Sequence, residues 1–166
     1  MKTNYELRYA CDPRDAKSYD TTRLRGDFLI EKIFTDNEVN MVYSMYDRLI
    51  VGGAKPVGET LILEAIDPLK ATHFLSRREL GIFNVGGPGR VKAGDAIFDL
   101  NYKEALYLGA GERTVTFESI DPKNPAKFYF NSAPAHKTYP DKKVTKADAV
   151  VADFFQAEDG IRDKAT

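Results

Sequence analysis

The sequence predicts a mostly-β protein, a jelly roll or β-sandwich with a short N-terminal helix. Residues 73–117 break into short β-rich runs: LGIFNV, RVKA, AIFDL, ALYL and TVTF. Glycine turns separate these runs at Gly86-Gly87-Pro88-Gly89, Gly94-Asp95 and Gly109-Ala110-Gly111. Such clusters supply positive φ and a fixed proline φ where the chain reverses. Short, evenly spaced strands of this kind are the pattern of sandwiches and jelly rolls.

Taken in order, residues 1–19 are polar and mixed, and read as a surface arm. Asp20 is placed to cap a short helix with Leu24, Phe28 and Leu29 on one face, because an Asp side chain satisfies a free amide at a helix start. Residues 31–34 read as a strand, and Asp36-Asn37 as a turn. Residues 39–46 and 48–51 read as strands, the second ending at Gly52-Gly53. Residues 59–64 form another, and Asp67-Pro68 opens a turn or brief helix. After Phe117, the segment 121–125 is a proline-bounded loop and residues 126–131 a strand. Pro134 and Pro140 keep residues 132–140 from being helical throughout. Thr145 is a cap for a short helix through Ala149.

Composition narrows the function classes. The chain has 166 residues, enough to bury a core, and a formal net charge of −1, which points away from nucleic acid and anionic membrane surfaces as partners. No apolar run approaches the roughly 18–20 residues of a spanning helix. The first residues, MKTNYELR, lack an apolar signal core, so export is not expected. Cys11 is the single cysteine; no intramolecular disulfide can form, a cytoplasmic location fits, and the thiol reads as incidental.

The central stretch also carries a metal-site spacing. Cupin barrels resemble one another in a pattern of His-x-His, three or four residues, Glu, six residues, Gly. His73, Leu75, Glu79 and Gly86 fall on that spacing, with leucine in place of the second histidine. A second cupin pattern starting at Gly94 needs Pro, Gly and His near Leu100, Tyr102 and Ala105, and none is there. Zinc needs three or more N, O or S ligands. The residues therefore read as a cupin-like jelly roll whose metal site is degenerate at His73 and Glu79.

Longer blocks add up to a family resemblance. RLRGDFLIEKIF (23–34), MVYSMYDRLIVGG (41–53), FLSRRELGIFNVGGPG (74–89), EALYLGAG (104–111) and PAKFYFNSAPAHKTYPDKKVT (125–145) resemble the bacterial 5-keto-4-deoxyuronate isomerases, also called 4-deoxy-L-threo-5-hexosulose-uronate ketol-isomerases. The match runs from about 20 to 150, and RRELG, IVGG and PAHKTYP with KKVT are its specific blocks. The resemblance implies a two-part protein in which residues 20–150 are the N-terminal, cupin-like half. It implies conversion of 5-dehydro-4-deoxy-D-glucuronate to 3-deoxy-D-glycero-2,5-hexodiulosonate in pectin and uronate catabolism. It further implies a uronate-derived substrate, a homo-oligomer at full length, and a zinc ion held by three histidines and a glutamate of the C-terminal half. No His-x-His occurs in this sequence, so no zinc ligand carries over, no catalytic residue is assignable, and this chain is expected to be inactive alone. The competing reading is a non-catalytic cupin-like sugar-binding or structural module.

Four residues are candidates for substrate contact. Arg77 and Arg78 suit a carboxylate, which guanidinium binds through two parallel hydrogen bonds. Neighbours on a strand point to opposite faces, so at most one of them is expected in a given cavity; the alternative is a surface or inter-subunit salt bridge with Glu79 or another acid. His136 lies between Pro134 and Pro140, near Tyr139 and Lys142, on a loop able to reach the active site of the other half or of a neighbouring subunit; the alternative is a histidine that fixes the loop. Loss of the other half is expected to leave apolar strand residues in water, some of them among Val39, Met41, Tyr43, Phe128 and Phe130, and hence to promote self-association.

The resemblance stops near residue 151. Residues 151–166 are read as a non-family tail, within which QAEDGIRD (156–163) resembles the translation of a common sequencing adapter. Ile161 is the one large aliphatic residue of 156–166, too little to offset ordering costs of roughly 1–2 kcal/mol per residue. Deleting residues 156–166 should leave the melting temperature unchanged; a drop of several degrees in differential scanning calorimetry would show that the tail packs on the fold.

Overall fold

In the computed structural model, which describes residues 2–150, two β-sheets enclose the core. The strands are β1 (Lys2–Arg8), β2 (Glu38–Ser44), β3 (Ile50–Ala54), β4 (Leu61–Ile62), β5 (Arg78–Asn84), β6 (Gly89–Ala93), β7 (Ala96–Leu100), β8 (Ala105–Leu108), β9 (Val115–Ser119), β10 (Phe128–Pro134) and β11 (Lys142–Val144). Two short helices, α1 (Pro13–Ala16) and α2 (Thr21–Phe28), precede β2. One sheet has the order β1-β2-β3-β10-β5-β8-β11 and the other β4-β9-β6-β7.

This order is that of a long hairpin rolled on itself. β3 pairs with β10, β4 with β9, β5 with β8 and β6 with β7, all antiparallel. Successive pairs fall alternately in the two sheets, which is the double Greek key of a jelly roll. Gly94, at φ 59°, makes the tight reversal between β6 and β7, where Ala93 pairs with Ala96.

Alternation along the strands fills the space between the sheets. On β5 the inward residues are Arg78, Leu80, Ile82 and Asn84; on β10 they are Phe128, Phe130 and Ser132. Phe117 of β9 stacks on Phe130 at 6.1 Å and meets Phe128 at 5.3 Å, and Phe74 meets Phe130 edge-on at 6.5 Å. Offset and edge-on geometries of this kind add to the burial of the rings themselves. Val39, Met41, Tyr43, Phe128 and Phe130 all belong to this core. The expectation that some of them face water is thus overturned: β4, β6, β7 and β9 of the same chain cover them.

Three local expectations also change. Residues 31–34 are not a strand, because the place beside β2 is taken by β1, which pairs with it in parallel from Lys2↔Glu38 to Arg8↔Ser44. The first part of the supposed surface arm is therefore an edge strand, tied by Asn4 Nδ2 to Glu38 and Asn40. Gly52 and Gly53 are not a turn but the interior of β3. A Cβ at Gly52 would lie 2.5 Å from the Phe130 ring, so glycine here makes room for the core aromatic. The expected caps hold: Asp20 accepts from Arg23 N–H at the start of α2, and Thr145 caps a 3₁₀ turn over Lys146–Asp148.

Asn84, fully buried at the end of β5, joins four segments. Its Nδ2 donates to the carbonyls of Gly87 and Leu100 at 2.8 and 2.9 Å; its Oδ1 accepts from the N–H groups of Gly86 and Lys127 at 3.0 and 3.3 Å. Replacing it by alanine removes all four bonds at once, and leaving buried polar groups unpaired costs about 1–3 kcal/mol each. Asn84→Ala should lower the urea unfolding free energy by about 3 kcal/mol or more; a loss below about 1 kcal/mol would show that the amide is dispensable.

A candidate anion-binding cavity

The strands bring their polar ends together at one mouth of the sandwich. The register sets Pro134 opposite Arg78, and Ser132 opposite both Leu80 and Ile50. The β2–β3 connection arrives at the same place, turning through Asp47 and Arg48, both at φ 52°. The segment after β4 adds a 3₁₀ turn at Asp67–Leu69. Between these elements lies a cavity of about 480 Å³ whose lining includes Tyr43, Arg48, Phe74, Arg77, Arg78 and His136, and no acidic residue.

Arg78 is the innermost cation, only 5% exposed. Its Nε donates to Ser132 Oγ at 3.0 Å, and its Nη2 to the carbonyls of Ser132 and Arg48. The Tyr43 ring lies 5.5 Å from the guanidinium carbon. Burial pulls the Arg78 pKa down, and Arg48 adds to this by repulsion, while Tyr43 opposes it. An arginine stays protonated regardless, so Arg78 keeps its charge at the cavity wall. Arg77 is exposed and donates through Nη2 to Leu69 and Lys70 carbonyls at 2.6 and 3.2 Å.

Three of the four predicted contact residues therefore converge: Arg77, Arg78 and His136. Arg77 and Arg78 share one cavity, against the alternation argument, because Arg77 precedes β5 and is not bound by its pleat. Neither makes the salt bridge with Glu79 that was the competing reading: Glu79 accepts from Tyr107 O–H at 2.8 Å, and burial together with that carboxylate pushes Tyr107 up to about 12. Tyr139 lies outside the cavity lining, half exposed, with Lys137 Nζ 5.6 Å from its ring. Sequence reading missed Tyr43, Arg48 and Phe74, which only the register carries to this mouth.

The degenerate metal positions have other partners. His73 Nδ1 lies 2.8 Å from Glu112 Oε2, which also accepts from Ser76 Oγ at 2.8 Å. The His73 and then the Ser76 hydrogen bonds hold the Glu112 carboxyl below its usual range. Glu79 points to Tyr107 instead, and among the described residues no three His, Cys, Asp or Glu side chains gather as a metal-ligand set. Zinc does not fit these residues.

The loop that carries His136 is held at its far end by an ion pair. Arg113 binds Asp141 through two nitrogens, the Nη2–Oδ1 contact at 2.6 Å, and Gly109 N–H donates to Asp141 Oδ1 at 3.0 Å. Burial acts to raise the Asp141 pKa, but Arg113 and the Gly109 amide outweigh it and leave the carboxyl lowered. A lowered carboxyl contributes stability above its unfolded value of about 3.9, and the contribution is lost as pH falls through the folded value. The difference in unfolding free energy between the protein and Asp141→Asn should be largest at neutral pH and shrink below about pH 4; a pH-independent difference would remove the ion pair from the account. Ser132→Ala, which orphans Arg78 Nε, should cost about 1–3 kcal/mol in the same assay.

A scan against protein-family models finds no match. Among curated proteins, the chain is similar to 4-deoxy-L-threo-5-hexosulose-uronate ketol-isomerase 1 of Bacteroides thetaiotaomicron, 75% identical over 158 residues, covering 95% of this chain and 56% of that protein. It is similar to the ketol-isomerase of the same name from Bacteroides fragilis, 76% identical over 158 residues with the same coverage. The Formosa agariphila protein of that name is 52% identical over 149 residues, covering 90% of this chain and 53% of that one. Among solved structures, the cupin domain of Schizosaccharomyces pombe Cnp3 matches with a TM-score of 0.44 and 11% identity, covering 58% of this chain and 64% of that one. The chain spans about half the length of the curated relatives it matches. By sequence it belongs to the 4-deoxy-L-threo-5-hexosulose-uronate ketol-isomerase family, of which it represents a part.

Proposed function

We propose that this chain is the cupin-like N-terminal portion of a cytoplasmic, homo-oligomeric ketol-isomerase that acts on 5-dehydro-4-deoxy-D-glucuronate in uronate catabolism. The observation that carries the reading is 75% identity over 95% of the chain to a protein of that name. The reaction is a proton shift without net oxidation: a proton leaves the carbon beside a carbonyl, an enediol forms, and a proton returns to the adjacent carbon. Such chemistry needs a base of near-neutral pKa and an electrophile at the oxygens. The described residues supply a cationic cavity but no metal-ligand set, and this reading assigns the base and the zinc to the part of its relatives that the chain does not span. That same shortage favours the second reading, a sugar-binding or structural module without catalysis.

Joining residues 1–150 to the remaining part of the Bacteroides thetaiotaomicron isomerase tests the first reading. The joined protein should consume the unsaturated-uronate product, and neither part should do so alone. Activity in the 166-residue chain by itself, or none in a folded joined protein, would overturn it. After dialysis, the 166-residue chain should hold far less than stoichiometric zinc by elemental analysis; stoichiometric zinc lost in His73→Ala would show a ligand set that these residues do not form.

A further inference from the structure

The cavity at the sandwich mouth is cationic and unpartnered. Arg78 is buried, and Ser132, the Arg48 carbonyl and Tyr43 take up its donors without cancelling its charge. Arg77 commits Nη2 to backbone carbonyls, leaving Nε and Nη1. Arg48 contributes its carbonyl to Arg78, and no hydrogen bond or ion pair among the described residues engages its guanidinium. Three cations thus share a cavity with no acid in its lining. The acid that Arg77 does influence, Glu112, is already engaged by His73 and Ser76.

Like charges converge at a cost unless an anion joins them. A structural role for Arg78 explains its bonds to Ser132 and to the Arg48 carbonyl; it does not explain why two further arginines line the same space. The Arg48 guanidinium, with no partner among the described residues, suits a planar carboxylate, and Arg77 adds its remaining single donors. Phe74, buried at the cavity wall, and Pro68 and Leu69 add an apolar surface for the rest of a small molecule. The volume of about 480 Å³ falls among small-molecule sites of roughly 300–1,000 Å³.

We propose that this cavity binds the carboxylate of a hexuronate-sized sugar acid, held by the Arg48 guanidinium and the remaining donors of Arg77, with the buried charge of Arg78 behind them and His136 at the rim. The choice of a hexuronate rests on the proposed family reaction; the carboxylate site does not. It lies apart from the His73 and Glu79 positions, which have their own partners.

Isothermal titration of the 166-residue chain with D-galacturonate tests it, with D-galactose and inorganic phosphate as parallel probes. Galacturonate should bind at least tenfold more tightly than either. Arg48→Met and Arg77→Met, both at exposed positions, should each weaken galacturonate at least fivefold; Arg48→Met should leave the melting temperature unchanged, and Arg77→Met, which gives up its bonds to the Leu69 and Lys70 carbonyls, should keep the native circular dichroism spectrum. Equal binding of galactose would remove the carboxylate from the recognition. Equal binding of phosphate would reduce the site to a general anion patch. Absence of binding, or full affinity in both variants, would overturn the site. Its failure is separable from that of the isomerase reading: activity in the joined protein without galacturonate binding here sinks only this proposal, and binding without activity sinks only the isomerase.

Discussion

Strand β5 is pinned at both ends by a buried polar side chain, and the rest of the sandwich is built around that constraint. It runs between β10 and β8 in the larger sheet, so neither end can escape to water along the sheet. At its start, Arg78 draws in Ser132 and the β2–β3 turn. At its end, Asn84 draws in the glycine turn, β7 and the entry to β10. Buried polar groups are tolerated when they are hydrogen-bonded, and each such group then specifies which backbone segments must meet it. The larger sheet and its connection to the smaller one are registered by these two residues as much as by apolar alternation.

The two ends solve the same problem differently. An amide has two donors and an acceptor with two lone pairs, and Asn84 uses them all in bonds to backbone. A guanidinium also carries charge, and the carbonyls and hydroxyl around Arg78 satisfy its donors without neutralising it. The Tyr43 face offers a partial electrostatic substitute. One end of the strand is therefore structurally complete, whereas the other retains an excess of positive charge facing a cavity. That asymmetry separates a structural buried polar group from a candidate binding group more reliably than burial does.

The core closes within this chain. The strand residues expected to need a second half for cover are buried by the smaller sheet. Among the described residues, exposed apolar surface is found elsewhere: Leu24, Phe28 and Leu29 of the α2 region, Tyr46 in contact with Phe28 at 6.3 Å, and Phe83 against Tyr129 on the outer side of the larger sheet. A partner domain need not complete the interior of the jelly roll, and any surface it covers lies outside the sandwich.

The sequence by itself determined the strand-rich class, most strand positions from Leu61 onward, the caps at Asp20 and Thr145, and the family, because each depends on local chemistry: turn residues, β-branched runs, capping side chains and long identical blocks. It also named Arg77, Arg78 and His136, which the structure places around one cavity. It misjudged residues 31–34 and Gly52-Gly53, and did not foresee β1 or β11, because strand formation there depends on which neighbour occupies the sheet edge and on how closely the Phe130 ring approaches. The tertiary structure alone decided that Arg48 and Tyr43 join the arginines of β5, that Tyr139 does not, and that His73 and Glu79 have separate partners. These are consequences of register between segments distant in the chain, and no local pattern of residues encodes which side chains such pairing brings to one mouth.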